Sequence, residues 1–195
     1  MGITADDIIA RRSVSPRWLI EPGPSSEQVR TMIEAACAAP DHRRLRPWRF
    51  ILIRNDDRTK LADLFEAAAR ETHGTLSDDQ IERAREKAMN GACLIAVVGV
   101  IRNDAPDVLP YEQWVSVGAA IQNTLLVATS LGFGSMIVSG DKVATRALQK
   151  GLGLSAIEQL LGFVAVGSVS KQPPADDRPG AIDVLSVWPP EELGV

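Results

Sequence analysis

The chain has only two cysteines and two histidines among 195 residues. No pair of His, Cys or carboxylate side chains falls at metal-ligand spacing, which argues against a metal site. Cys37 lies on the apolar side of a predicted helix and Cys93 opens a predicted strand. Both therefore read as buried, reduced core residues rather than partners in a disulfide. A nucleophile elbow is also missing, because Ser135 and Ser139 each lack the flanking glycine pair. There is no phosphate-binding P-loop. Gly132-Phe133-Gly134 lacks a third glycine and follows a helix rather than a strand, so it is not a dinucleotide fingerprint. Basic residues are not in excess: 21 Lys and Arg face 25 Asp and Glu, a net charge of −4. That balance gives no global pull toward nucleic acid. Met1 to Ala10 contains no apolar signal core, and the longest apolar run, Leu94 to Ile101, is far too short to span a bilayer. A cytoplasmic protein with no membrane and no nucleic-acid partner is expected. If it is an enzyme, a cofactor must carry the chemistry.

What is present is the composition of an ordinary globular protein, 45% apolar and 24% charged. The length suits one domain, residues 1–195, with a substantial core. Thr4 caps a short helix reaching about Arg11. Ser25 and Gln28 form a capping-box pattern for a second helix, which Pro40 ends. Phe50 to Ile53 is a predicted strand. A helix from about Asp57 to Arg70 follows, then an exposed excursion, then a charged helix opened by Ser77 and Gln80 and reaching about Met89. Arg83, Arg85, Glu86 and Lys87 read there as a solvated face. Ala92 to Ile101 is apolar throughout, as a central strand requires. Tyr111 to Leu131 is the longest helix, with little polar surface on any side, so it is buried in a core or against a second subunit. Ser135 to Val138 and Leu160 to Val169 are further strands. Between them lies a helix capped by Ser139 or Asp141 and ending at Lys150-Gly151. In the tail, Ala181 to Trp188 could pair as an edge strand or wrap a neighbour.

The loop from Ala39 to Phe50 crowds Arg43, Arg44, Arg46, Arg49, His42 and Trp48 between a helix and a strand. Pro40 and Pro47 restrict it. It reads as a platform for an anionic, planar ligand. The alternative is a solvated turn whose Trp48 plugs the core.

Arg11-Arg12-Ser13, followed by Ala39-Pro40-Asp41-His42 and Pro47-Trp48-Arg49-Phe50, resembles the flavin-dependent nitroreductase family, most closely its small single-domain subgroup. Glu112-Gln113, Gly132-Phe133-Gly134, Gly162-Phe163 and Gly167 also fall where that family has similar residues. The resemblance implies an α+β fold, three layers with a mixed β-sheet flanked by helices, built as an intertwined homodimer. It implies two flavin mononucleotide (FMN) sites at the subunit interface, with NADH or NADPH as reductant and a nitroaromatic, a quinone or a similar small molecule as acceptor. Arg11 and Ser13 would hold the phosphate, a role that suits a guanidinium fork and a hydroxyl donor. Arg12 would reach the ribityl chain or the pyrimidine edge, His42 would come from the other subunit, and Ile137-Val138-Ser139 would lie beside the ring. No side chain need act as acid or base. Other chemistries that the resemblance allows are reductive dehalogenation, fragmentation of the flavin itself, and flavin sensing without turnover.

The sequence also departs from the family pattern. Close relatives place an arginine at the position of Ala38 and a Trp-Arg pair at Ile137-Val138. Larger members carry Asn and Gln where this chain has Arg44 and Arg46. Substrate choice should shift with the 137–138 pair. Arg178, in Asp177-Arg178-Pro179, is the substitute cation for the phosphate, since larger members carry a basic residue before a proline in this tail. The alternative is a solvated arginine neutralising Asp176 and Asp177.

Overall fold

A sheet of five strands separates two helical layers in the computed structural model, which describes residues 3–174 and 178–188. The helices are α1 (Ala5–Ala10), α2 (Ser26–Cys37), α3 (Arg58–His73), α4 (Asp78–Glu86), α5 (Pro110–Ser130), α6 (Arg146–Gly151) and α7 (Ala181–Val184). The strands are β1 (Leu19–Ile20), β2 (Trp48–Ile53), β3 (Cys93–Val100), β4 (Gly134–Val138) and β5 (Glu158–Val169). Local sequence explains where the helices begin. Thr4 with Asp7, Ser25 with Gln28 and Ser77 with Gln80 all form reciprocal capping boxes, satisfying N–H groups that have no partner within the helix.

β3 is interior, paired antiparallel with β2 on one side and β5 on the other. Its side chains alternate between the two layers, as strand geometry requires. Leu94, Ala96 and Val98 pack toward α3 and α6, in a core with Leu61, Leu148 and Phe163. Ile95 and Val97 pack toward α2 and α5, with Met32, Val117, Ile121 and Leu125. β5 also pairs antiparallel with β4 and β1. Parallel pairing is confined, among the described residues, to an isolated bridge between Ser13 and Ser135. The β3–β5 register shifts between Val97 and Val98, where Leu161 is the extra residue.

α5 buries Val117, Ile121, Leu125 and Ala128, but leaves Tyr111 (64%) and Val115 (70%) exposed, with Gly118 on the same stripe. No helix among the described residues is long and apolar enough to cross a membrane.

Four local expectations change. Cys37 is exposed at the last turn of α2, because the helix buries the stripe of Met32 and Ala36 and turns the next residue, about 100° further round, toward solvent. Residues 181–184 form a turn of helix rather than an edge strand, and Ile182, Leu185 and Trp188 are all exposed. α6 is capped from outside: the Glu71 carboxylate accepts the N–H groups of Arg146 (2.8 Å) and Ala147 (3.0 Å), and Thr145 holds the N-cap position. Arg85 is not simply solvated. Its guanidinium lies 2.7 Å from Asp63 and 2.9 Å from Glu66, tying α4 to α3.

Candidate functional site

Three arginines converge on the end of α1. The last carbonyls of a helix have no partner within it, and cationic side chains satisfy them. Arg12 Nη1 donates to the carbonyls of Ile9 (3.0 Å), Ala10 (3.3 Å) and Arg11 (3.3 Å). Arg178 donates to Ile9 through Nη1 (2.8 Å) and to Arg11 through Nη2 (2.7 Å). Arg178, far away in sequence, therefore stands beside the Arg-Arg-Ser turn; Asp176 and Asp177 lie outside the described residues. Arg11 differs from the other two. Its Nη1 is buried with no hydrogen-bond partner. Burial, then the neighbouring charges of Arg178 and Arg12, hold its pKa below the usual arginine range. It remains charged nonetheless. A half-buried cation held beside two others, with an unused donor, is fitted to receive an anion. The donor set suits a dianionic phosphate such as that of FMN.

The same turn runs along β4. Ser13 bridges to Ser135, and the Val14 N–H donates to the Ser135 carbonyl at 3.2 Å. Ser135 Oγ is itself buried and unpartnered, a polar atom that stands out in the sequence only as a rejected nucleophile. β4 then leads to Ile137, Val138 and Ser139. Gly162 permits this path, since a Cβ there would collide with the Val138 carbonyl oxygen. Ser139 Oγ donates to the Leu161 carbonyl, fixing the strand end. Beyond it opens a cavity of about 320 Å³ lined by Ser15, Val138 and Ser139. One chain thus brings Arg11, Arg12, Ser13 and Arg178 to one part of β4 and Ile137–Ser139 to its end.

The 39–50 loop belongs to the other layer. Ala38 is the exposed C-cap of α2. His42 is also exposed, with Nδ1 3.4 Å from Glu112 near the start of α5. Arg43, Arg44 and Arg46 all adopt positive φ (63°, 54° and 51°). Each such residue stores about 1–3 kcal/mol of strain, which the surroundings must hold in place. Asp41 does part of this, its carboxylate accepting the N–H groups of Leu45 (3.1 Å) and Arg46 (2.7 Å). Arg43 lies 3.3 Å from Asp107, and Arg49 2.6 Å from Glu158. Trp48 packs partly buried beside Phe50, so the core-plug role is real alongside the cationic surface. Among the described residues, no hydrogen bond or ion pair joins Ala38 or His42 to Arg11–Ser13. No group of His, Cys, Asp and Glu among the described residues could hold a metal.

Residues 8–168 match the family model described as the nitroreductase family. A Haemophilus influenzae protein with the provisional name NAD(P)H nitroreductase is 32% identical over 154 residues, covering 79% of this chain and 83% of that protein. Among solved structures, a nitroreductase-like family protein from Bacillus cereus superposes with a TM-score of 0.80 at 20% identity, covering 96% of this chain and 97% of that one. A variant of NfnB, named an FMN and NADPH-dependent nitroreductase, from Sphigopyxis sp. strain HMH, superposes with a TM-score of 0.73 at 19% identity, covering 95% and 99%. These two structural likenesses bear on the fold.

Proposed function

The chain belongs to the nitroreductase family of oxidoreductases, and on that premise we propose that it is an FMN-dependent enzyme that uses NADH or NADPH to reduce a small-molecule acceptor. The observation that carries the cofactor is the buried, unpartnered Arg11 Nη1 beside Arg12 and Arg178. Arg11, Ser13 and Arg178 bind the phosphate, and Arg12 the adjoining chain. Ile137, Val138 and Ser139 flank the ring and limit solvent on that side. The chemistry that bound FMN supplies is two-electron transfer: NAD(P)H, a proton and a nitroarene give NAD(P)+, a nitrosoarene and water, or a quinone gives its hydroquinone. No side chain is assigned as acid or base, because the residues around the cradle are donors and apolar groups.

Ala38 and His42 are assigned to the site of a second copy, in a homodimer. Two features support this: among the described residues no hydrogen bond or ion pair joins them to the phosphate cradle, and the apolar stripe of Tyr111, Val115 and Gly118 on α5 is exposed. The test is spectroscopic. The purified protein, supplied with FMN, should retain it and show the two visible bands of an oxidised flavin. NAD(P)H should bleach them anaerobically, and a nitroarene should restore them. Failure to retain FMN would refute the cofactor assignment; retention without bleaching would leave a flavin-binding protein and refute the enzyme.

A further inference from the structure

The cavity beyond β4 carries more information than its contact with Val138 and Ser139. Its apolar wall is made by Phe65, Leu94, Leu148 and Phe163, contributed by α3, β3, α6 and β5. Phe65 and Phe163 meet edge to face, with ring centroids 5.3 Å apart and planes at 81°. This arrangement presents aromatic surface to whatever enters. The volume, about 320 Å³, is at the lower end of the range for small-molecule sites and suits one substituted aromatic ring.

Charge is arranged around this apolar wall with one sign in excess. Arg17, Lys87 and Lys142 line the cavity from the segment after α1, the end of α4 and the turn after β4. None of the three makes an ion pair among the described residues. The one acidic residue lining it, Asp141, is already 3.6 Å from His73. A largely apolar chamber lined by three cations and a single carboxylate is complementary to a ligand with an apolar body and a negative end.

We propose that this cavity binds an aromatic carboxylate, its ring against Phe65 and Phe163 and its carboxylate held by Arg17, Lys87 and Lys142. Because Val138 and Ser139 form both the cavity's edge and the ring-flanking segment, the bound anion is the acceptor that the enzyme selects. That last clause rests on the flavin reading above; binding by the cavity does not.

The test separates the two. Calorimetric titration of the FMN-supplied protein should show 4-tert-butylbenzoate binding about tenfold or more tighter than neutral 4-tert-butylbenzamide, as expected of charge-assisted contacts. The preference should shrink with added salt, since two of the cations are exposed. The triple variant Arg17→Met/Lys87→Met/Lys142→Met should lose the preference and keep the parent's FMN affinity, whereas Lys150→Met, outside the cavity, should change neither. In turnover, 4-nitrobenzoate should exceed 4-nitrobenzamide in kcat/KM by the same factor in the parent only. Equal binding of acid and amide by the parent, or an undiminished preference in the triple variant, would overturn the proposal. So would competition between 4-tert-butylbenzoate and FMN for the apoprotein, which would make the cavity part of the flavin's own seat. If FMN does not bind at all, the flavin reading fails, and the same titration on the apoprotein still decides the cavity.

Discussion

Replacing Arg11 by methionine should move two properties in opposite directions. Methionine keeps much of the apolar stem but removes the guanidinium. In the ligand-free protein, that group has a buried Nη1 without a partner and two cationic neighbours. An unsatisfied buried donor costs about 1–3 kcal/mol. Arg11 is only half-buried, so solvent screening reduces the figure to about 1 kcal/mol or less. The apoprotein should therefore gain up to ~1 kcal/mol, or roughly 2–4 °C in Tm at this size. With FMN the sign reverses. Losing one charge-assisted phosphate contact costs about 1.5–3 kcal/mol, or roughly 10- to 150-fold in Kd. At FMN equal to about 100 times the parent's Kd, ligand binding stabilises the parent by ~2.7 kcal/mol. A variant with about 50-fold weaker binding gains only ~0.6 kcal/mol under those conditions. The rank order of thermal stability should thus invert between apo and FMN-loaded protein at fixed subunit concentration. Thermal unfolding with and without FMN, alongside fluorescence-quenching titration, reads both terms. An apo variant that loses stability would make Arg11 a structural residue, and an undiminished FMN shift would place it outside the site; either result refutes the reasoning.

Arg58 is 5% exposed and donates to the carbonyls of Ala88 (2.8 Å), Gly91 (3.1 Å) and, more weakly, Asn90 (3.5 Å), so Arg58→Met should cost about 2–4 kcal/mol in urea unfolding through the acceptors it abandons. Glu71 is held below the usual carboxylate range by the N–H groups of Arg146 and then Ala147. Its contribution is complete above the unfolded glutamate pKa of about 4.3 and is lost as pH falls through the lower folded value. Glu71→Gln should therefore flatten part of the acid limb of the stability–pH profile, and an unchanged limb would show that the cap carries no proton linkage. Arg11→Ala and His42→Ala chains, mixed and allowed to exchange subunits, should recover part of the FMN binding that each has lost; verified exchange without recovery would assign both residues to one chain's site. Val115→Arg, at the exposed stripe of α5, should shift sedimentation toward monomer and release FMN, whereas an unaltered dimer would place the interface elsewhere.

Much of the candidate site can be read from the sequence because the residues proposed for it are local in sequence. Arg11-Arg12-Ser13 follows a short, well-capped helix, and guanidinium groups at a helix end have carbonyls to satisfy whether or not a ligand comes. What the sequence could not supply was the difference between Arg12, which is spent on three carbonyls, and Arg11, which keeps a free donor. That difference arises only in the folded chain, where burial and the arrival of Arg178 from the tail set Arg11 apart. Arg178 was placed by resemblance alone, and its two hydrogen bonds to the α1 carbonyls show the physical means by which the tail reaches the turn. The cavity cations had no sequence signal. Lys87 reads as one more charge on a polar helix, and only the packing of α4 against α3 brings it to the cavity that Arg17 and Lys142 also line.

β5 shows most clearly why side-chain placement outruns pattern reading. Strict alternation from Leu160 would send Leu160, Gly162 and Val164 to one face, and Leu161, Phe163 and Ala165 to the other. Instead Leu160 shares a core with Phe163 and Ala165, while Leu161 packs with Val164 and Val166. The register shift opposite Val97 and Val98 accounts for this, because one extra residue reverses the phase of the strand. Two consequences meet at the end of β4. Phe163 is turned toward Phe65, completing the aromatic wall of the cavity. Gly162, without a Cβ, lets the Val138 carbonyl lie against the strand just before Ser139. The path of the chain at the end of β4 and the cavity beyond it therefore both follow from a single irregularity in β5.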